Sequence, residues 1–266
     1  MRQGALDAAV ARLRKARAAV AFTGAGISTA SGLPDFRSPQ GLWATVDPAT
    51  VASRSAFERD PRRFYQFYRE RLDRLRHAAP NAAHHAIAAL ERAGRLRGVI
   101  TQNVDGLHQA AGSRRVIELH GNLREAVCPR CEELWPIAVV VEALAQDRVP
   151  LCQRCGAVLK PNVVLFEDLL PARAWQAAAA LARAADVMLV VGSSLQVTPA
   201  AYLPQDTLDA GGVLVIVNRE PTPYDDRAAV VLRADAALVL PAIAAALGAW
   251  EDRCDAPPNH FPQPEE

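Results

Sequence analysis

The chain has 266 residues, half of them apolar, enough to bury the core of one large domain with a smaller one attached. Its 30 basic and 29 acidic residues leave a formal charge of +1, so no whole-protein field steers it toward nucleic acid or an anionic membrane. No stretch reaches the ~18 uninterrupted apolar residues of a membrane span, and residues 1–20 mix arginine and acid with alanine and leucine where a signal peptide needs an unbroken apolar core, so a cytoplasmic protein with reduced thiols is expected.

Residues 6–18 repeat apolar positions at helical spacing, and residues 18–22 read as a short buried strand running into a glycine loop. Asn81 is placed to cap a helix through Ala93 and Gly94 to stop it, with a strand at residues 99–101 and another at 116–119. Residues 162–166, 187–191 and 213–217 are near-continuous in Val, Ile and Leu, as strands of a parallel sheet covered on both faces tend to be. Helices at 172–184 and 236–247 supply cover, which makes the fold class α/β. Two stretches break the rhythm: an arginine-rich helical segment at 53–77 with Phe57, Phe64, Tyr65, Phe67 and Tyr68 as its apolar stripe, and a cysteine-bearing segment at 122–160. Both read as insertions that together form a smaller lobe, and residues 251–266, rich in proline, as a loose tail with an idle Cys254.

Gly24-Ala25-Gly26-Ile27-Ser28 sits where the first strand ends. Glycine there lets backbone N–H groups touch phosphate oxygens, although such a pair also makes an ordinary tight turn. The dinucleotide fingerprint is incomplete: Thr29 holds its third glycine position, and a long loop, residues 32–38, replaces the second strand and its acid. A hydride-transferring dehydrogenase is therefore disfavoured. Gln102, Asn103 and Asp105 lie just past a strand's carboxyl end, where they either bind a ribose or carboxamide or cap the next helix. Of six histidines, His120 alone stands at a strand end beside a glycine. Neutral imidazole suits a general base there, against the competing readings of a zinc ligand or a solvated turn residue. Gly192-Ser193-Ser194-Leu195 and Asn218-Arg219-Glu220 follow two further strands and are placed to line a nucleotide crevice, although either alone is more often ordinary loop chemistry.

Cys128 and Cys131, then Cys152 and Cys155 after twenty intervening residues, form two C-x-x-C knuckles. Four thiolates complete a tetrahedral Zn2+ site with no position left for water, so a single structural Zn2+ is expected ahead of a redox dithiol or a coincidental pattern.

GAGIS, GLPDFRS, TQNVDGLH, ELHGN, the paired knuckles, VVGSSL and VIVN stand in the order and spacing of the sirtuin family across residues 19–247, and the chain resembles a sirtuin of the bacterial type. The resemblance implies a Rossmann-like parallel sheet at 1–40, 81–121 and 162–250, a helical module at 41–80, a four-cysteine zinc module at 122–161 and a tail at 251–266. It implies an enzyme that uses NAD to remove acyl groups from protein lysines. Gly24, Ala25 and Gly26 would cradle the pyrophosphate, Phe36 and Arg37 close over the cofactor, Gln102 and Asn103 hold the nicotinamide ribose and Asp105 the carboxamide. Gly192, Ser193, Ser194, Asn218 and Ala234 would line the adenosine side, with Ser28, Asp35, Val104 and Arg219 also at the cofactor. His120 would deprotonate a ribose hydroxyl after the acyl oxygen displaces nicotinamide, and water would release lysine and an acyl-ADP-ribose.

The same resemblance places the peptide as an added strand against Val164, Phe166 and Leu195. Tyr68 and Arg71 match the Tyr-x-x-Arg pair of desuccinylating and demalonylating sirtuins, where a phenol and a guanidinium bind a distal carboxylate; a core tyrosine beside a surface arginine is the alternative, and residues 34–37 look more like the deacetylase form of that loop. One departure stands out. The family usually has Phe-Gly-Glu where this chain has Phe166-Glu167-Asp168, and the bulkier, more acidic rim is expected to favour basic peptides. Partners implied are acyl-lysine proteins or peptides, with no nucleic acid or membrane, and a monomer. The rivals are an NAD-dependent mono-ADP-ribosyltransferase or NAD glycohydrolase on the same scaffold, and a zinc-ribbon adaptor. The adaptor lacks a basic cluster, because Glu125, Glu132, Glu133 and Asp147 offset Arg130 and Arg154.

Overall fold

The computed structural model describes residues 3–38 and 41–250; the tail and Cys254 lie outside them. The chain opens with α1 (Gln3–Lys15) and β1 (Ala19–Thr23), then leaves through three helices, α2 (Pro48–Val51), α3 (Arg54–Arg59) and α4 (Pro61–His77). It returns by α5 (Ala82–Arg92), β2 (Val99–Thr101), α6 (Leu107–Ala110) and β3 (Val116–Glu118). A second excursion holds β4 (Gly121–Val127), β5 (Leu134–Pro136), α7 (Ile137–Ala145) and β6 (Lys160–Val163). The remainder is α8 (Ala172–Arg183), β7 (Val187–Val191), α9 (Leu203–Asp209), β8 (Val213–Val217), β9 (Val230–Leu232) and α10 (Ala236–Ala246).

Six strands form one parallel sheet in the order β3-β2-β1-β7-β8-β9. Helices cover both faces, so alternate residues of one strand enter different cores. Ala19 and Ala21 pack with α1, α5 and α10, whereas Val20 and Phe22 pack with α8. That two-sided burial explains the unbroken apolar runs of β1, β7 and β8. The order runs outward from β1 in one direction and from β7 in the other, which opens a crevice at their carboxyl ends, the usual ligand position in such sheets.

Local signals set the helix ends. Asn81 accepts the N–H of Ala83, its own N–H is met by His84 in a capping box, and Gly94 adopts φ +69° just past α5. The helical segment read at 53–77 is two helices, because Pro61 has no N–H to continue α3 and instead begins α4 behind the cap Asp60.

The smaller lobe is a three-stranded antiparallel sheet, β5-β4-β6, packed with α4 and α7. Phe57, Phe64, Tyr65 and Tyr68 share one core with Leu123, Val140, Leu144 and Leu159, so the two excursions bury each other. The strand read at residues 162–166 does not join the parallel sheet. Lys160–Val163 pairs antiparallel with β4 and alternates half-buried with buried positions, the pattern of a sheet covered on one face.

Candidate active site

Three glycines bring the walls of the crevice together. A Cβ on Gly24 would meet Gly192 O at 2.8 Å, one on Gly26 would meet Gly192 Cα at 2.8 Å, and one on Gly192 would meet Ile27 N at 2.2 Å. The loops after β1 and β7 therefore touch backbone to backbone. Gly24 N–H donates to Val191 O (3.0 Å) and Gly26 N–H to Gly192 O (2.8 Å). This revises the reason for the glycines: those two N–H groups close the crevice and are not free for a phosphate. A cavity of about 580 Å3 opens here and extends between the two lobes.

Ser28, Asn103 and Asp105 are bound to one another at its floor. Asn103 Nδ2 donates to Ser28 Oγ (3.1 Å) and Gly24 O (3.2 Å), and Ser28 Oγ donates to Asp105 Oδ2 (2.7 Å). Asp105 Oδ1 also accepts the Leu107 N–H that opens α6 (3.0 Å), so it holds the start of that helix from one residue before the Gly106 N-cap and faces the cavity at once. Burial pushes its carboxyl above the usual range, against these hydrogen bonds. Beneath them Thr23 Oγ1 donates to Thr101 Oγ1 (2.8 Å) and lies 2.9 Å from His108 Nε2. With the Thr23 proton directed to Thr101, His108 Nε2 carries a hydrogen and the ring is neutral; burial brings its pKa down to about 4.

His120 closes the floor on the side of the smaller lobe. Its Nδ1 lies 3.0 Å from Gln102 O, a group that can only accept, so Nδ1 is the protonated nitrogen and Nε2 is left with a free lone pair. Burial lowers the His120 pKa, partly opposed by the Gln102 carbonyl, and so favours the neutral base. Gly121 follows with φ +77°, and a Cβ there would meet Asn162 O at 2.1 Å. Gln102 is in turn held by Ser193 Oγ (2.8 Å).

The opposite wall is aromatic. Phe36 stacks on Trp43 (centroids 5.3 Å apart), and Trp43 lies 6.2 Å from both Phe67 and Phe166. Arg71 sits over Phe36 at 5.0 Å and over Phe67 and Tyr68 at 5.7 Å each. Among the described residues no carboxylate forms an ion pair with it. Burial lowers its pKa, opposed by Tyr68, and raises that of Tyr68, which is stacked on Phe64. A half-buried cation thus projects from α4 into the cavity.

Of the candidate cofactor and substrate residues, Ala25, Asp35, Arg37, Val104, Val164, Ser194, Asn218, Arg219 and Ala234 also line this one cavity, in addition to those placed above. Leu195 does not: its side chain is buried in the sheet core, and its backbone turns at φ +54°. Arg219 is ion-paired with Asp235, the cap of α10. Trp43 and residues 196–199 line the cavity without having been singled out from the sequence, and Thr29 and Phe67 line it without having been read as site residues. Trp43 is brought here by folding back onto Phe36, through Trp43 N–H to Phe36 O (3.0 Å).

The four cysteines converge in the smaller lobe and are not among the residues that line the cavity. Their Sγ atoms all lie within 4.8 Å of one another, with Cys128 to Cys155 at 3.3 Å and Cys131 to Cys152 at 3.7 Å. Those separations exceed a disulfide's ~2.05 Å and approach the roughly 3.8 Å edge of a tetrahedron with Zn–S bonds of about 2.3 Å. The donor set fits one Zn2+ and leaves no open position, and His120 is not part of it.

The Sir2 family model matches residues 24–199. The chain belongs to the Sir2 family. It is 50% identical over 239 residues to an NAD-dependent protein deacetylase of Caldivirga maquilingensis, covering 90% of this chain and 91% of that one. It is 49% identical over 232 residues to NAD-dependent protein deacylase 2 of Archaeoglobus fulgidus, covering 87% and 91%. Both relatives are archaeal. A Sir2 structure described as holding a p53 peptide and NAD+ superposes with a TM-score of 0.83 at 42% identity, covering 90% of this chain and 97% of that one.

Proposed function

We infer that this protein is an NAD-dependent protein-lysine deacylase. The observation that carries the reading is His120: a neutral imidazole with Nδ1 committed to Gln102, lining the same cavity as the crevice between β1 and β7. NAD, when bound, supplies a ribose carbon that parts with nicotinamide and accepts the acyl oxygen. Gln102 and Asn103 hold that ribose from the sheet's edge, and Asp105 orients the carboxamide from its fixed place on Ser28 and Leu107. The Ala25 backbone, Ser193, Ser194 and Asn218 lie along the rest of the dinucleotide, with Arg37 and Phe36 above it. His120 takes a ribose hydroxyl proton at Nε2. The Phe36 and Trp43 wall excludes water from the reacting carbon.

The peptide lies as an added strand between the 164–168 segment and the loop after β7. Val164 N–H is already bonded to His120 O (2.8 Å), so Val164 offers its carbonyl, and Leu195 contributes main chain only. Acetyl-lysine is one substrate. Arg71, with no carboxylate partner among the described residues and Tyr68 beside it, supports a second class, acyl groups ending in a carboxylate such as succinyl and malonyl. A single Zn2+ at Cys128, Cys131, Cys152 and Cys155 braces the smaller lobe. No helix among the described residues is long and apolar enough to cross a membrane, and we take the protein to work in the cytoplasm as a monomer without nucleic acid. Acetyl and succinyl peptides incubated with NAD and either the native protein or His120→Ala test the assignment. Native turnover of at least one peptide, abolished in the variant, is expected; equal product from both proteins refutes the role of His120.

A further inference from the structure

Glu167 stands where the family usually has glycine, and its backbone adopts φ +75°, a conformation that glycine reaches freely and other residues do not. The side chain is the compensation. Glu167 Oε2 accepts the Ser55 N–H and Oε1 the Ser55 hydroxyl, both at 2.9 Å, so an anion sits on the first turn of α3. Two backbone bonds lie alongside: Phe166 N–H to Ala52 O and Arg54 N–H to Phe166 O, each 3.0 Å. Asp168 completes the join, accepting Arg54 Nε at 2.6 Å, Lys160 Nζ at 3.1 Å and the Leu165 N–H at 3.0 Å. Both carboxylates are therefore committed to partners within the protein. Arg54 and Lys160 offset these acids in place, so the rim offers a basic peptide no excess of negative charge, contrary to what the sequence suggested.

We propose that Glu167 is a positioning residue for the peptide: seated on α3, it ties the 164–168 segment to the helix that leads directly into α4, which carries Tyr68 and Arg71, so that the peptide-bearing wall and the acyl-binding wall move as one body. The proposal rests on the deacylase reading for its kinetic half only. Without the tie, the segment keeps its path but loosens against Ala52 and Arg54, and a peptide strand has a less ordered edge to pair with.

Glu167→Gly is the informative variant, because it removes the carboxylate while making φ +75° comfortable, which preserves the fold. The KM for acyl-peptide is expected to rise about three- to tenfold, the range for loss of one or two exposed hydrogen bonds, with kcat and the KM for NAD changed less than about twofold. Glu167→Gln, which keeps an acceptor for Ser55, is expected to recover part of the loss. Hydrogen exchange gives a readout independent of turnover: the Phe166 amide, bonded to Ala52 rather than to Glu167, is expected to exchange faster in Glu167→Gly. Unchanged Phe166 exchange overturns the mechanical tie, and faster exchange with unchanged peptide KM overturns its role in positioning. A native protein inactive on every acyl-peptide counts against the deacylase reading instead, while the exchange comparison still decides whether Glu167 couples the two segments.

Discussion

Replacing Arg71 by methionine separates two acyl classes. The guanidinium is half-buried among Phe36, Phe67 and Tyr68, and no carboxylate of the described residues pairs with it, so a substrate carboxylate entering the cavity would be its first anionic partner. A charge-assisted hydrogen bond contributes about 1.5–3 kcal/mol, or roughly 10- to 150-fold in kcat/KM. Methionine keeps an unbranched apolar stem against the same rings, so the wall that shields an acetyl group is preserved. Side-by-side kcat/KM values for acetyl and succinyl forms of one peptide are the assay. Succinyl turnover is expected to fall by that factor while acetyl turnover stays within about threefold, the packing change alone being small. A fall of equal size on both substrates refutes the reasoning and makes Arg71 a structural part of the aromatic wall.

The remaining predictions concern the scaffold around the reaction. Gly192→Ala places a methyl 2.2 Å from Ile27 N at φ +60°, and the combined overpacking and backbone strain should destabilise the fold by about 2–4 kcal/mol, read by chemical unfolding, and weaken NAD binding by calorimetry. Removing zinc with a chelator, or by Cys152→Ser, should release the metal, measured by elemental analysis, and abolish turnover, because β4 leaves directly from His120; full activity in metal-free protein would exclude this coupling. His108 binds its proton at pH 6.5 when unfolded but only near 4 when folded, so the unfolded state holds more protons between those values. The His108 contribution to the unfolding free energy should therefore drop by about 3 kcal/mol as pH falls from 6.5 to 4, and denaturant titrations of the native protein and His108→Gln across that window check it by difference. The depressed pKa of His120 should likewise put the acid limb of kcat/KM below pH 6.5.

The sequence exposed the parts that depend on local pattern. The apolar runs of β1, β7 and β8, the Asn81 cap and the cysteine spacing all act over a few residues, and each is found where it was read. What escaped depends on partners distant in the chain. Lys160–Val163 looked like one more buried strand until β4 paired with it, and β9, three residues long, has too little pattern to stand out. The glycines of the first loop were legible as necessary, but the reason, backbone contact with Gly192, was not. Glu167 was visible only as a departure; its partner Ser55 is 112 residues away. Arg71 could be matched to a spacing, yet its isolation from acids appears only once α4 is folded against Phe36.

The most direct test of the account is a mass balance on one acyl-peptide with NAD, resolved by mass spectrometry. A cavity that joins the crevice to His120 predicts one nicotinamide and one acyl-ADP-ribose for every lysine freed. Free ADP-ribose with the peptide still acylated, or ADP-ribose attached to protein, would contradict it.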